Sequence, residues 1–195
     1  MAQDTVIDRG AGLALIALGA NAEGPQGAPA AGLRAAMAEI ARLARAARCS
    51  RLWRSPAFPA GIGPDFVNAA MALDTDLDAA ELLAQLHAIE ARFGRVRQDR
   101  WGPRSLDLDL LALDGAVRPD LAGWARWRDL APAEQARQTP QELILPHPRL
   151  QDRGFVLLPL AEVAPDWRHP VTGLSVTSMR DALPPAALDG LAPLG

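Results

Sequence analysis

Lysine and tyrosine are absent from this 195-residue chain. Without Lys there can be no P-loop Lys, no protein-kinase ATP-binding Lys, no Schiff base and no Ser-x-x-Lys catalysis. All 20 basic residues are Arg, so any phosphate must be met by guanidinium groups or by metal ions. Cysteine is almost missing. Cys49 alone can form neither an internal disulfide nor a Cys-rich zinc site, which fits a reducing cytoplasm. No apolar run approaches the ~20 residues that cross a bilayer, so no membrane partner is expected. The formal charge of −3 argues against whole-surface attraction to nucleic acid and leaves room only for a local basic patch.

What is present suits a soluble globular chain. The hydrophobic share is 49% and the charged share 22%, enough to fill a core, and the length fits one domain over residues 1–195. Arg9, the apolar run Gly12–Ala20 and the triplet Ala20-Asn21-Ala22 imitate an export signal. Asp4 and Asp8 cancel the positive flank and the run is short, so it reads as a buried first strand.

The patterning predicts a strand over Leu13–Leu18 and a Gly/Pro loop over Ala22–Pro29. A helix over 30–47 follows, with Leu33, Met37, Ile40 and Leu43 at helical spacing. Arg48–Arg54 reads as extended and Ser55–Asp65 as a long loop. Phe66–Leu73 alternates like a strand. Asp78 and Glu81 form a capping box for a helix reaching Phe93, with Leu82, Leu83, Leu86, Ile89 and Phe93 inward and Gly94 as the stop. An Arg-dense loop, Gly94–Pro103, leads to a strand over Ser105–Leu113. Residues 116–141, carrying Trp124 and Trp127, read as an insertion. Pro146–Arg153 reads as a loop, Phe155–Val163 as a helix or strand, and the tail after Asp181 as loosely packed. This order predicts an α+β sandwich: a mostly antiparallel sheet with a ferredoxin-like core and helices packed on it.

The strongest chemical signal is the run from Trp101 to Leu110. On a strand, Asp107 and Asp109 share one face while Leu106, Leu108 and Leu110 share the other. Two such carboxylates repel each other unless a cation lies between them, and Mg2+ prefers carboxylate and phosphate oxygens. A solvated strand face is the plain alternative. The neighbourhood favours phosphate: Arg92, Arg95, Arg97, Arg100 and Arg104 surround a single acid, Asp99, for a formal charge of +4. Guanidinium groups fork phosphate oxygens, and the segment with the Asp pair suits a polyphosphate with Mg2+.

Other residues leave alternatives open. Glu90 opposes the dipole of its helix end, so it is either offset by an Arg or ligand or is an ordinary surface Glu. Trp101 either stacks on a planar heterocycle or packs in the core. Phe66 and Asn68 share a strand face, and an Asn amide can read the edge of a base-like ring or hold a turn. His147 is aimed by the flanking Pro146 and Pro148, His87 rides on the second helix, and His169 reads as a surface residue. The three show no zinc spacing.

Three segments resemble one known family. They are Leu15–Asn21; Ser55 through Asp65–Ala70 and Glu90 to Gly94–Arg97 and Trp101–Asp109; and Leu145–Leu150 with Arg153-Gly154-Phe155 and Leu158–Pro165. Together they are similar to the 6-hydroxymethyl-7,8-dihydropterin pyrophosphokinases of folate biosynthesis, over residues 12–170 apart from 116–141. The resemblance implies transfer of pyrophosphate from ATP to the pterin hydroxymethyl, with release of AMP. It implies two Mg2+ ions on Asp107 and Asp109, and Arg95 and Arg104 as catalytic arginines. It implies a pterin site at Ser55, Pro56, Phe66, Asn68, Trp101 and Phe155. ATP contacts are implied at His87, Glu90, Arg97, Arg100, Leu110, His147 and Arg153. The partners implied are these two small molecules, with no nucleic acid, for a cytoplasmic monomer. Loops 55–65 and 94–104 would close over them. Departures from the family pattern are a loop after Gly94 shorter by one residue, Gln98 where Lys is frequent, and Phe66 where some members carry Tyr. A nucleic-acid module would leave the Asp pair unused, and an Asp-x-Asp sugar transferase would leave Pro146–Phe155 unused.

Overall fold

A computed structural model describes residues 12–57, 63–95, 104–131, 134 and 137–194. The order is β1 (Gly12–Ala20), α1 (Pro29–Ala41), β2 (Ala46–Cys49), β3 (Trp53–Ser55), β4 (Phe66–Thr75), α2 (Ala79–Arg92), β5 (Asp107–Leu113), α3 (Leu121–Asp129), α4 (Gly154–Val163), α5 (Val176–Asp181) and β6 (Ala192–Pro193). The sheet runs β5-β1-β4-β3-β6, with β2 also on β4, and every pairing is antiparallel. Treating β2 and β3 as one broken strand gives the ferredoxin-like order expected from the sequence.

Strand alternation supplies two apolar faces. Ile16, Leu18, Met71, Leu108 and Leu110 meet Leu33 and Ile40 of α1 and Leu82, Leu86 and Ile89 of α2. Leu15, Ala70, Ala72 and Leu111 meet Val156, Leu157 and Leu160 of α4 and Val176 and Met179 of α5. Each fully buried Leu or Ile contributes roughly 1.5–3 kcal/mol. The register slips where Leu15 faces Ala112 and Ile16 faces Leu110, leaving Leu111 as the extra residue of a bulge. Its carbonyl accepts the His147 backbone N–H at 2.7 Å, which ties the Pro-flanked turn to the edge strand.

The second helix follows the sequence reading closely. Asp78 accepts from the backbone N–H groups of Ala80 and Glu81, both at 2.8 Å, and Glu81 accepts from Asp78 N–H at 3.0 Å. Gly94, at φ +78°, ends it.

Elsewhere the structure corrects expectations. The first helix stops at Ala41 rather than 47, because β2 takes residues 46–49 into the sheet against β4. The extended 48–54 segment is two short strands, broken where the Ser50 hydroxyl accepts from Ala70 N–H. β5 begins at Asp107, not Ser105. The tail does not hang loose: β6 pairs with β3, and Leu194 N–H donates to Leu52. His169 is fully buried, not at the surface. Its Nδ1 accepts from Val171 and Thr172 N–H, and its ring meets Trp124 and Trp167 edge-on.

Candidate active site

Register places the reactive side chains together. Gly19 lies opposite Asn68 on one side and Asp107 on the other, and Ala17 lies opposite Asp109. Ser55 faces Phe66, and Trp53 faces Asn68. Asp107, Asp109, Gly19, Phe66, Asn68 and Ser55 therefore all point to the face that α4 covers. A Cβ on Gly19 would lie 3.6 Å from the Asn68 amide oxygen, so this small residue leaves the face open. Asn68 and Ser55 are both buried, and the Asn68 amide nitrogen donates to the Ser55 hydroxyl at 2.8 Å. Pro56 and Phe155 are exposed, and Phe66 is half-buried.

Asp107 is the electrostatic centre. Its carboxylate pairs with Arg104, and Arg95 lies 2.6 Å from its other oxygen. Burial and the like charge of Asp109 push the Asp107 carboxyl up, and Arg104 and Arg95 oppose that shift. Arg95 also pairs with Glu90, a residue only 2% exposed. Glu90 is not a plain surface residue: its carboxylate additionally accepts the Leu108 N–H at 2.8 Å, tying the end of α2 to β5.

Arg104 is held by a residue not singled out for the site. Asn21 Oδ1 accepts the Arg104 N–H at 2.8 Å, the Asn21 N–H donates back to the Arg104 carbonyl at 2.9 Å, and the Asn21 amide reaches the Pro64 carbonyl at 3.3 Å. In the sequence Asn21 only closes the Leu15–Asn21 segment of the family resemblance, with no role attached to it.

β5 is the edge strand, so side chains from both of its faces reach its outer rim. An open groove of about 470 Å3 runs there, lined by Asp109, Leu110, His87, His147, Arg149 and Arg153. Four proposed ATP contacts thus share one groove. Leu83, expected inward, lines the groove instead, and Trp127, Gln141 and Leu143 from the inserted segment and its exit join it. The inserted segment closes on itself where Arg118 and Leu145 pair backbone to backbone. Removal from water, together with Arg153, pushes the His147 imidazole down to about 3, and its Nδ1 accepts the Arg149 N–H at 3.1 Å. Burial also lowers the Arg153 guanidinium, with Asp109 and Asp107 opposing. Arg97, Arg100 and Trp101 lie outside the described residues.

Mg2+ often takes one or two carboxylates and completes its shell with water and substrate phosphates. Among the described residues no group of three or more His, Cys, Asp and Glu forms. The Asp107–Asp109 pair on one strand face is a donor set that fits such an ion shared with phosphate. Among the described residues no helix is long and apolar enough to cross a membrane.

A family model described as 7,8-dihydro-6-hydroxymethylpterin-pyrophosphokinase (HPPK) matches residues 15–165. A Synechocystis protein named 2-amino-4-hydroxy-6-hydroxymethyldihydropteridine pyrophosphokinase is 41% identical over 130 residues, 67% of this chain and 56% of that protein. A Pseudomonas aeruginosa protein of the same name is 45% identical over 107 residues, 55% of this chain and 54% of its own length. The chain thus spans about half the length of the curated relatives it matches. A triple mutant of the Plasmodium falciparum HPPK-DHPS protein shares the fold at a TM-score of 0.61 and 13% identity, over 92% of this chain and 46% of that one.

Proposed function

Since this chain belongs to the 7,8-dihydro-6-hydroxymethylpterin-pyrophosphokinase family, we propose that it transfers the terminal pyrophosphoryl group of ATP to 6-hydroxymethyl-7,8-dihydropterin. The hydroxymethyl oxygen attacks the β-phosphorus in line, the bond from that phosphorus to the α–β bridging oxygen breaks, and AMP leaves with the electron pair. The hydroxyl proton passes to solvent. The products are AMP and the pterin diphosphate of folate biosynthesis.

One observation supports this most: Asp107, flanked by Arg95 and Arg104, shares a sheet face with the buried Asn68–Ser55 pair and with Asp109, which lines the groove together with Arg153. That arrangement offers a polar ring subsite beside a phosphate subsite. Asn68 orients the pterin through an amide that Ser55 fixes, with Phe66, Pro56, Phe155 and Trp101 around it. His87, Glu90, Leu110, His147, Arg153, Arg97 and Arg100 take the nucleotide. Arg95 and Arg104 exchange carboxylate for phosphate oxygens as charge develops, since phosphoryl transfer depends mainly on positioning and charge neutralisation. Asp107 and Asp109 would hold two Mg2+ ions, which supply charge neutralisation on the triphosphate. The protein acts as a cytoplasmic monomer of one domain on two small molecules, without nucleic acid. Loops 55–65 and 94–104 exclude water from the transfer.

The test is AMP release from ATP, with and without the pterin, in Mg2+ or in chelator. AMP that requires both pterin and Mg2+ is expected. AMP formed equally without pterin would reduce the protein to a nucleotide hydrolase and remove the pterin subsite at Asn68.

A further inference from the structure

We infer that Trp127 of the inserted segment is the stacking surface for the nucleotide base, which places part of the 116–141 segment inside the nucleotide site; this rests on the proposed use of ATP. Trp124 and Trp127 are three residues apart on α3 and so share a helix face. Trp124 is completely buried, and its indole N–H donates to the Pro146 carbonyl at 2.7 Å. Its ring also meets the buried His169 at 5.3 Å. α3 is therefore pinned in rotation against the turn that carries His147.

That anchoring fixes what Trp127 does. It is half-buried and lines the same groove as Asp109, His147 and Arg153. The groove's lining mixes two chemistries. Asp109, Arg149 and Arg153 carry charge suited to a metal-bound triphosphate, while Trp127, Leu83 and Leu143 are apolar and stand beside the charged Glu142. An indole lining a partly apolar groove suits a planar heterocycle, since every base has a π-face that can stack on an aromatic side chain. Gln141, also on the lining, brings an amide that can both donate and accept at a ring edge.

Calorimetric titration of the full chain in Mg2+ tests this, with ATP and inorganic tripolyphosphate as probes. Trp127→Ala is expected to weaken ATP about tenfold and to leave tripolyphosphate within about twofold. Trp127→Phe keeps most of the ATP affinity. Trp127→Ala binding ATP as wild type does would overturn the inference while leaving the proposed reaction intact. Wild-type protein that fails to bind ATP at all would overturn that reaction, and this inference with it. Should Trp127→Ala lose its fold, wild-type protein carrying 5-fluorotryptophan gives the answer. The fluorine signal missing from Trp127→Phe must shift with ATP and not with tripolyphosphate, and a signal unmoved by ATP rejects the stacking role.

Discussion

Arg104 is held through both its backbone and its side chain. Its backbone is held twice by Asn21, and its guanidinium lies on Asp107. A group fixed this firmly serves a charge that develops late, so Arg104→Ala should lower kcat more than it raises KM for ATP. Steady-state kinetics decide it; a raised KM with unchanged kcat would make Arg104 a simple binding residue. Glu90 belongs to the same cluster but works through Arg95 and the Leu108 N–H. Glu90→Ala leaves the buried Leu108 N–H unpaired and Arg95 with Asp107 alone, and should cost about 2 kcal/mol in urea unfolding. A loss under about 1 kcal/mol would show that water replaces it. His147 carries a pH signature. Its folded value near 3 lies below its unfolded value, so its share of stability is complete above about pH 6.5 and drains away as pH falls toward 3. Wild type should therefore lose stability with acid more steeply than His147→Asn, and the His147 ring protons should not titrate near 6.5 by NMR. At this scale the sequence exposed the Asp pair and the arginines, because period two and local charge are readable along the chain. The hold of Asn21 on Arg104 and the burial of His169 were not readable, because the partners Arg104, Trp124 and Trp167 are distant in sequence or undistinguished within it.

Elements with strong local signals matched their expected positions. α2 has both the 3.6 period and a complete capping box, and its start and its Gly94 stop agree with the sequence. Asp78→Ala should cost about 1 kcal/mol in thermal or chemical unfolding, with no change in KM, since the cap lies at the helix end remote from Arg95. α1 shows the converse. Its Ala/Arg-rich extension to residue 47 looks helical, yet Arg45 N–H donates to Asp74 and β2 joins β4, so sheet pairing overrides propensity. The inserted segment had composition but no partner visible in sequence; the Trp124–Pro146 hydrogen bond and the Trp124–His169 contact show where it docks.

Across the whole molecule, one sheet serves two helix layers, and the candidate site occupies the part of one face and one edge where apolar cover gives way to charge. α4 covers Leu15, Ala70 and Leu111, while Asp107, Asn68 and Ser55 lie farther along the same face. The fold class was legible because element order and alternation determine the sheet order. The groove was only half legible, since its other wall comes from α3 and the 141–149 turn. Nucleotide binding to the folded chain should stabilise it by mass action. ATP at a hundred times its Kd adds about 2.7 kcal/mol, a rise in Tm of roughly 5–10 °C for a chain this size. An unmoved Tm at that concentration would deny a preformed site. The most direct measurement is 31P NMR of a turnover mixture containing ATP, Mg2+ and 6-hydroxymethyl-7,8-dihydropterin. AMP should appear together with a diphosphate ester on the pterin carbon, in equal amounts. ADP with a pterin monophosphate, or AMP with free pyrophosphate, would contradict transfer at the β-phosphorus.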